Sequence, residues 1–274
     1  IPLVFACSDD ESNSNDDGTI NCYGYLLEDN NDSILPSTIT IVDASDMEIT
    51  SVINYSYNGN KIVSSFQSVT DNVGGYDEYE RFFTYSENKV SSVDKYEDGE
   101  FSHTIQVEYN LQGMPSAFLS DGAAGIEYTY QTDCLILINY PLLVDVDDMV
   151  QFVEVDNNGN LLYALISEDD CPYYFAEYDN YNNPFKNVTG YSNLGNIPGI
   201  GNSIATNDMI HTFATLGLNN NPISVNTSST ACGNPLNDDF PTYSYDYNDA
   251  GYPVNIIISF GGVIYETVTI EYTN

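Results

Sequence analysis

Basic side chains are nearly missing from this chain of 274 residues. It has 5 Lys and Arg against 41 Asp and Glu, which gives a formal net charge of −36 at pH 7. Binding to nucleic acid, or to the surface of an anionic bilayer, depends on lysine and arginine side chains that pair with phosphate groups. The composition therefore excludes both kinds of electrostatic partner. It is compatible with plain solubility, with divalent cations or with a basic partner.

Several signatures of catalysis are also absent. The chain has only two histidines, His103 and His211, and neither lies in an HxH, HExxH or Cys/His ligand spacing. No Gly-x-Ser-x-Gly motif occurs, so nothing marks an activated nucleophile. The sequence therefore predicts a protein that is not an enzyme. Acid pairs such as Asp147-Asp148 and Asp169-Asp170 leave a carboxylate-based hydrolase as a less favoured alternative.

Tyrosine is what the chain has in excess, with 24 Tyr and 12 Phe and no Trp. Aromatic residues of this kind favour strands. Over Thr242–Ser259, three tyrosines alternate with polar residues, an Asn-Asp-Ala-Gly break follows, and Val254, Ile256 and Ile258 resume the alternation. A period of two on both sides of a short turn predicts an antiparallel hairpin, in which Gly251 supplies a positive φ.

The same unit recurs along the chain. Its last residue before the turn is found at steps of 21 to 28 residues, at Tyr57, Tyr85, Tyr109, Tyr130, Val155 and Tyr178. Each is followed by a turn rich in Asn, Asp or Gly and then by apolar residues, which for the last unit are Pro184-Phe185. This spacing predicts a degenerate repeat of hairpins. Cys22–Leu27 and Thr38–Val42 are predicted as opening strands, and Val263–Tyr272 as the last one.

The next equivalent of Tyr178 is Tyr247, 69 residues later. This gap predicts an insertion over about residues 191–240. Within it, Ala205–Leu216 is predicted to form a short helix, with Asn207 as its cap and an apolar face that covers one end of the sheet.

Together these patterns predict an all-β fold with a single domain over residues 21–274. We expect an antiparallel β-hairpin repeat meander in a strongly twisted or rolled sheet, with one short helix-containing insertion. Tyr and Phe should line one face, and Ser, Thr, Asp and Glu the other. A closed barrel, which removes the exposed edges, is the alternative.

The N-terminus resembles the end of a bacterial lipoprotein signal peptide. Ile1–Ala6 is apolar, Cys7 follows, and Ser8-Asp9-Asp10-Glu11 is similar to the acidic export signal of surface lipoproteins in Bacteroidota. The resemblance implies a signal peptide remnant over residues 1–6, lipidation of Cys7 and a flexible lipidated tether over residues 7–20. It also implies an outer-membrane address, with the domain facing the cell exterior.

The remaining cysteines form an even set, namely Cys22, Cys134, Cys171 and Cys232. Such a set is typical of an oxidising compartment and predicts two disulfides. Four cysteines can form two disulfides in three ways, and the sequence does not choose among them. Cys134 with Cys171 is favoured because a single hairpin separates them.

One turn offers oxygen ligands of the kind that calcium prefers. Asp156, Asn158 and Asn160 lie in the run Asp-Asn-Asn-Gly-Asn and form a candidate calcium site. A hairpin turn explains the same residues, and no other cofactor is indicated.

The repeat resembles the Tyr-Asp (RHS/YD-like) repeats of bacterial cell-surface proteins, and more closely the uncharacterised Bacteroidota surface lipoproteins built from such hairpins. Two motifs carry the resemblance, residues 178–185 (YDNYNNPF) and residues 245–253 (YDYNDAGYP). It covers roughly Val52 to the C-terminus and implies architecture, without catalytic residues. We therefore expect a surface-exposed outer-membrane lipoprotein that acts as a non-catalytic binding or assembly module, with an outer-membrane protein as its partner. An accessory glycan-binding protein, which would use tyrosine rings, is the alternative.

Replacing Cys7 with serine is expected to move the protein from the detergent phase to the aqueous phase in Triton X-114 partitioning, because the lipid is attached through the thiol. Cys22→Ser is the matched control and should stay in the detergent phase. Retention of the Cys7→Ser variant in the detergent phase would show that the anchor is elsewhere.

Overall fold

The computed structural model describes ten segments of the chain, which hold all of the strands given below. They are residues 33–44, 50–70, 74–120, 122–131, 135–139, 151–156, 160–165, 174–190, 219–226 and 241–273. The predicted strand Cys22–Leu27 and the predicted helix Ala205–Leu216 lie outside them. Within the described residues no helix is long and apolar enough to cross a membrane.

Sixteen antiparallel strands make up the described part of the chain. They are β1 Pro36–Asp43, β2 Thr50–Asn58, β3 Lys61–Thr70, β4 Tyr76–Ser86, β5 Lys89–Glu97, β6 Glu100–Tyr109, β7 Pro115–Ser120, β8 Ala123–Tyr130, β9 Leu135–Asn139, β10 Gln151–Val155, β11 Leu161–Leu165, β12 Tyr174–Tyr178, β13 Pro222–Asn226, β14 Pro241–Tyr247, β15 Pro253–Phe260 and β16 Val263–Tyr272. Each strand pairs with its neighbours in the chain, which confirms the predicted all-β meander.

The sheet closes on itself because β1 pairs with both β2 and β16. Ile39 of β1 lies opposite Ile53 on one side and Ile270 on the other. The two neighbouring strands with the fewest paired residues are β13 and β14, where Ser224 opposite Thr242 is the one pair among the described residues. Among the described strands, closure gives each one a partner on both sides, and it decides between the two arrangements that the sequence allowed in favour of the barrel.

Alternation along the strands places aliphatic side chains inside the barrel and polar ones outside. On β15 and β16, Ile256, Ile258 and Val268 are each 1% exposed, whereas Asn255 and Thr269 face outward. Two clusters of buried residues fill the interior. On the strands whose burial is described, the outward positions are mostly polar.

The turn chemistry repeats as closely as the strand pattern does. Asn110 and Asn248 each accept two backbone N–H bonds with the side-chain oxygen, from the residues two and four positions later. In both turns a glycine at the fourth position, Gly113 or Gly251, has a positive φ and donates its N–H back to the asparagine carbonyl. The Asn-x-x-Gly signal thus specifies one hairpin turn, as the sequence predicts.

Two details of the predicted repeat are wrong. The hairpin predicted from Tyr178 to Pro184-Phe185 does not form, because β12 pairs with β13. The insertion predicted over about residues 191–240 also contains β13, which is a strand of the barrel. The residues that follow Tyr178 leave the wall and pack into one end of the barrel.

Four tyrosines at or near strand ends have a common hydrogen-bonding role. Each of the four donates its hydroxyl to the carbonyl of the first or second residue of the preceding strand. These bonds join Tyr57 to Pro36 (2.7 Å), Tyr109 to Val90 (2.7 Å), Tyr272 to Pro253 (2.8 Å) and Tyr245 to Pro222. Three of the four acceptors are prolines at strand starts, a position that tolerates their missing N–H. Burial raises the pKa of Tyr109 and Tyr272, which therefore remain protonated donors at neutral pH.

Replacing Tyr109 with phenylalanine is expected to lower the free energy of unfolding by about 1 kcal/mol, since it removes one part-buried hydrogen bond without changing the ring. Urea denaturation would measure the loss. Tyr265→Phe is the control: its ring is 36% exposed, and it should change stability by less than about 0.5 kcal/mol. Equal effects of the two substitutions would contradict a structural role for the Tyr109 hydroxyl.

Candidate functional site

One end of the barrel is closed by a segment that has no strand structure, residues 182–190, here called the end cap. Phe185 is 3% exposed and Val188 4% exposed, and both belong to the same buried cluster as Ile39 and Ile53. The Phe185 ring meets the Tyr55 ring edge to face, with 5.6 Å between the centroids. The sequence predicted that a helix of the insertion would cover one end of the sheet, and that helix lies outside the described residues. Among the described residues, the end cap packs at this end.

Hydrogen bonds tie the end cap to several turns of the barrel. The Thr189 N–H donates to the Asn60 carbonyl at 2.9 Å, and Asn60 Nδ2 donates to the Asn187 carbonyl at 3.0 Å. Asn187 Nδ2 in turn donates to the Ile34 carbonyl at 2.9 Å and to the Tyr252 hydroxyl at 2.7 Å. The end cap therefore joins the first strand of the barrel to hairpins that are far apart in sequence.

Asp179 organises the junction between the wall and the end cap. Its carboxylate accepts hydrogen bonds from the backbone N–H groups of Tyr181 and Asn221, from Asn221 Nδ2 and from the Tyr247 hydroxyl. Burial, followed by the bond to Asp179, raises the pKa of Tyr247. The Tyr181 ring stacks on the Tyr247 ring with centroids 4.1 Å apart, and Tyr181 itself is 50% exposed. The motif at residues 178–185 is thus explained by structure, and it leaves one tyrosine ring accessible.

A second accessible aromatic group lies on the outer wall, at a distance in sequence from the insertion. Phe82 on β4, Tyr96 on β5 and Phe101 on β6 meet edge to face, with centroid distances of 5.6 Å and 5.5 Å. Phe82 is 45% exposed and Phe101 55% exposed. We call these three residues the wall patch. Clusters of exposed apolar side chains are typical of contact sites on protein surfaces.

Carboxylates surround the wall patch. Strand pairing places Asp94 opposite Phe82, and Glu80 opposite Tyr96. Glu97 and Glu100 face each other at the adjoining hairpin turn, and both are exposed. The patch thus combines an apolar centre with an acidic rim.

The residues predicted as sites from the sequence are only partly described. Cys7, Cys22, Cys134, Cys171 and Cys232 lie outside the described residues, so lipidation and both disulfides stay predictions. The acid pairs at 147–148 and 169–170, and His211, lie outside as well. His103 lies on β6 opposite Lys95, with its Nδ1 3.0 Å from the Ser102 hydroxyl.

The structure brings together two of the three calcium candidates. Asp156 accepts bonds from the backbone N–H of Asn160 at 2.8 Å and from Asn160 Nδ2 at 2.9 Å, while Asn158 lies outside the described residues. The backbone bond is the one that Asn110 and Asn248 make in their turns. Within the described segments, no group of three or more His, Cys, Asp and Glu side chains could hold a metal ion.

One part of the wall patch could have been predicted from the sequence by strand alternation alone. Phe82 and Phe83 are adjacent, so one of the two rings must point outward from β4. Tyr96 and Phe101 become neighbours through a hairpin and a register shift between Lys95 and Tyr96. Tyr96 faces outward by ordinary alternation on β5, and the shift turns the Phe101 ring to the same side, which is not visible in the residue pattern.

Comparisons with known proteins do not assign this chain to a family. No protein-family model matches it, and no curated protein matches it. Among solved structures, it is similar to a porin-like protein from Bacteroides uniformis, with 15% sequence identity and a TM-score of 0.38 over 90% of this chain and 99% of the other. Similarity at this level does not establish a shared function, so the proposals below rest on the residues of this chain.

Replacing Gly190 with alanine is expected to destabilise the protein by about 2 kcal/mol or more. A Cβ there would lie 2.9 Å from the Asn88 carbonyl oxygen, and the backbone φ is +76°. Gly99→Ala is the control, because Gly99 has φ +78° but nothing within 4 Å of the added carbon. It should cost only about 1 kcal/mol, the conformational part. Equal losses in thermal or urea unfolding would show that the end cap does not pack tightly on the β4–β5 turn.

Proposed function

We propose that this chain is a surface-exposed, lipid-anchored outer-membrane protein that binds a protein partner through the wall patch and catalyses no reaction. The observation that carries the proposal is the cluster of Phe82, Tyr96 and Phe101, exposed on a wall whose other outward positions are mostly polar. Aromatic side chains at the centre of a contact surface supply most of the binding energy in protein interfaces.

The rim of the wall patch indicates the chemistry of the partner. Asp94 and Glu80 place negative charge beside the aromatic centre, and the whole chain has a net charge of −36. A partner with an apolar centre and a basic rim would complement this surface. Attraction between the two charges would also speed their encounter, most strongly at low ionic strength.

The position of the termini supports a tethered receptor. The chain enters β1 beside Leu35 and leaves β16 at Thr273, and these two residues are joined by a backbone hydrogen bond of 2.8 Å at the capped end of the barrel. A lipid on Cys7 would therefore attach through a tether to the capped end. The wall patch lies on the side of the barrel towards the end opposite the end cap, since Tyr96 and Phe101 adjoin the β5–β6 turn, and a partner above the membrane can reach it there. The polar outer wall is consistent with a barrel held outside the bilayer.

Glycan binding is the second candidate, and it has its own observation. Tyr181 is half exposed, and its ring is backed by the parallel ring of Tyr247. A fixed, accessible ring of this kind suits stacking against a sugar, since tyrosine joins an apolar face to a polar edge. This site lies beside the start of the insertion, well away from the wall patch in sequence.

A photo-crosslinking residue at position 101, in cells that make the lipoprotein, would test the protein-partner proposal. We expect one discrete adduct with a membrane protein. With purified components, Phe82→Ser should weaken the complex at least tenfold, or about 1.4 kcal/mol. Higher salt should slow association.

Two controls make the experiment decisive. The same crosslinker at Ile257, an exposed position on β15, should give no adduct of that size. Tyr181→Ala should leave the adduct unchanged. An adduct that survives Phe82→Ser would refute the proposal. Glycan-array binding that is lost in Tyr181→Ala, together with no adduct at position 101, would favour the glycan candidate.

A further inference from the structure

Two of the five basic side chains face each other inside the barrel. Arg81 of β4 and Lys95 of β5 are direct partners in the strand register. Arg81 is 0% exposed and Lys95 is 7% exposed, although the chain as a whole is strongly acidic. Like charges directly opposite each other on neighbouring strands destabilise a sheet. A chain with so few cations therefore places two of them where each raises the cost of the other.

The side chains around this pair are polar, in contrast to the aliphatic interior elsewhere. Gln67, Ser65 and Ser51 are 0%, 2% and 6% exposed. Arg81 Nη2 donates to Gln67 Oε1 at 3.3 Å, and Gln67 Nε2 donates to Ser51 Oγ at 3.1 Å. These bonds fix the orientation of the Gln67 amide beside the guanidinium group of Arg81.

Ser65 provides an independent observation. It lies opposite Arg81 in the register of β3 and β4, and opposite Tyr55 in that of β2 and β3. Its hydroxyl is buried and, among the described residues, has no hydrogen-bond partner. A buried hydroxyl without a partner costs about 1–3 kcal/mol of stability. It lies where a bound oxyanion would accept its hydrogen.

The electrostatics of Lys95 point the same way. Burial lowers the pKa of the Lys95 ammonium, and the Arg81 charge lowers it further. The exposed carboxylate of Glu97, two residues further along β5, raises the pKa of Lys95, but the pKa stays below its usual value. Negative charge brought between Arg81 and Lys95 would relieve both unfavourable interactions.

The pair lies near the barrel end that is opposite the end cap. Lys95 is two residues before the last residue of β5, which places it about 7 Å from that end. His103 lies opposite Lys95 on β6, and Tyr79 is paired with Glu97 nearer that end of the described strands.

We infer that Lys95, Arg81 and Ser65 form a binding site for one small oxyanion group, which is a phosphate, a sulfate or a carboxylate. Lys95 supplies an ammonium donor, Arg81 a fixed guanidinium charge, and Ser65 a hydroxyl donor. The inference does not depend on the wall patch, whose residues point to the outside of the same strands.

The purified chain with Cys7→Ser can be tested directly with inorganic phosphate, inorganic sulfate and acetate. Sodium chloride at matched ionic strength is essential, because any salt screens the self-repulsion of a chain with a net charge of −36. At least one of the three anions is expected to raise the melting temperature above the chloride value, in a concentration-dependent way. Equilibrium dialysis of the radiolabelled anion should give one site per chain, and the ranking of the three shows which oxyanion geometry is preferred.

Lys95→Met should abolish the anion-specific increment and leave the melting temperature in chloride unchanged or higher, since it removes one of two opposed charges. Lys89→Met is the matched control on the same strand. Its ammonium lies 5.2 Å from the centre of the Tyr109 ring, at the capped end, and it should keep the increment. If the Lys95→Met variant does not fold, the Lys95→Gln variant replaces it, and equilibrium dialysis measures whether that variant still binds the anion. An increment that survives in the Lys95 variants, no increment over chloride in the parent chain, or a marked loss of stability of Lys95→Met in chloride would each overturn the inference.

Discussion

Closure of the sheet between β1 and β16 is the constraint on which the rest of the molecule depends. A meander of sixteen strands left open would expose two edges and a broad aliphatic face. Closure removes both at once, and it makes every inward position part of a shared interior. It also explains why Ile39 on the first strand and Ile270 on the last are among the most buried residues, at 1% and 4% exposed. Their burial depends on a contact between residues more than two hundred positions apart.

The repeated tyrosines hold successive strands in register around this closed wall. A hydroxyl at the end of one strand binds a carbonyl at the start of the preceding strand, so each bond links the two ends of one hairpin unit. The ring of each such tyrosine is at least partly buried, which adds apolar contact to the hydrogen bond. Tyrosine can supply both, whereas phenylalanine lacks the donor and serine lacks the ring. The spacing of 21 to 28 residues in the sequence is therefore the length of chain that returns to the same end of the barrel.

Local features of this fold could be predicted from the sequence, because their causes are local. Alternation specified which face of β15 is buried, and the Asn-x-x-Gly signal specified the turns at Asn110 and Asn248. The hairpin expected after Tyr178 failed for a non-local reason. Asp179 accepts four kinds of donor, two of them from Asn221, and these bonds direct the chain into the end of the barrel instead of back along the wall. The wall patch likewise depends on a register shift between β5 and β6, which no residue pattern specifies.

The same strands, β4 to β6, carry two different kinds of surface, and alternation keeps them apart. Odd positions such as Arg81 and Lys95 face the interior, while the even positions Phe82 and Tyr96 face outward. Placing charge inside and aromatic rings outside reverses the polarity of the rest of the barrel, where aliphatic residues are inside and polar ones outside. A sheet optimised for stability alone would not reverse its polarity on both faces of β4 and β5, since each reversal costs solvation or packing energy. The coincidence of the two reversals on β4 and β5 is what both binding proposals for this sector of the barrel rest on.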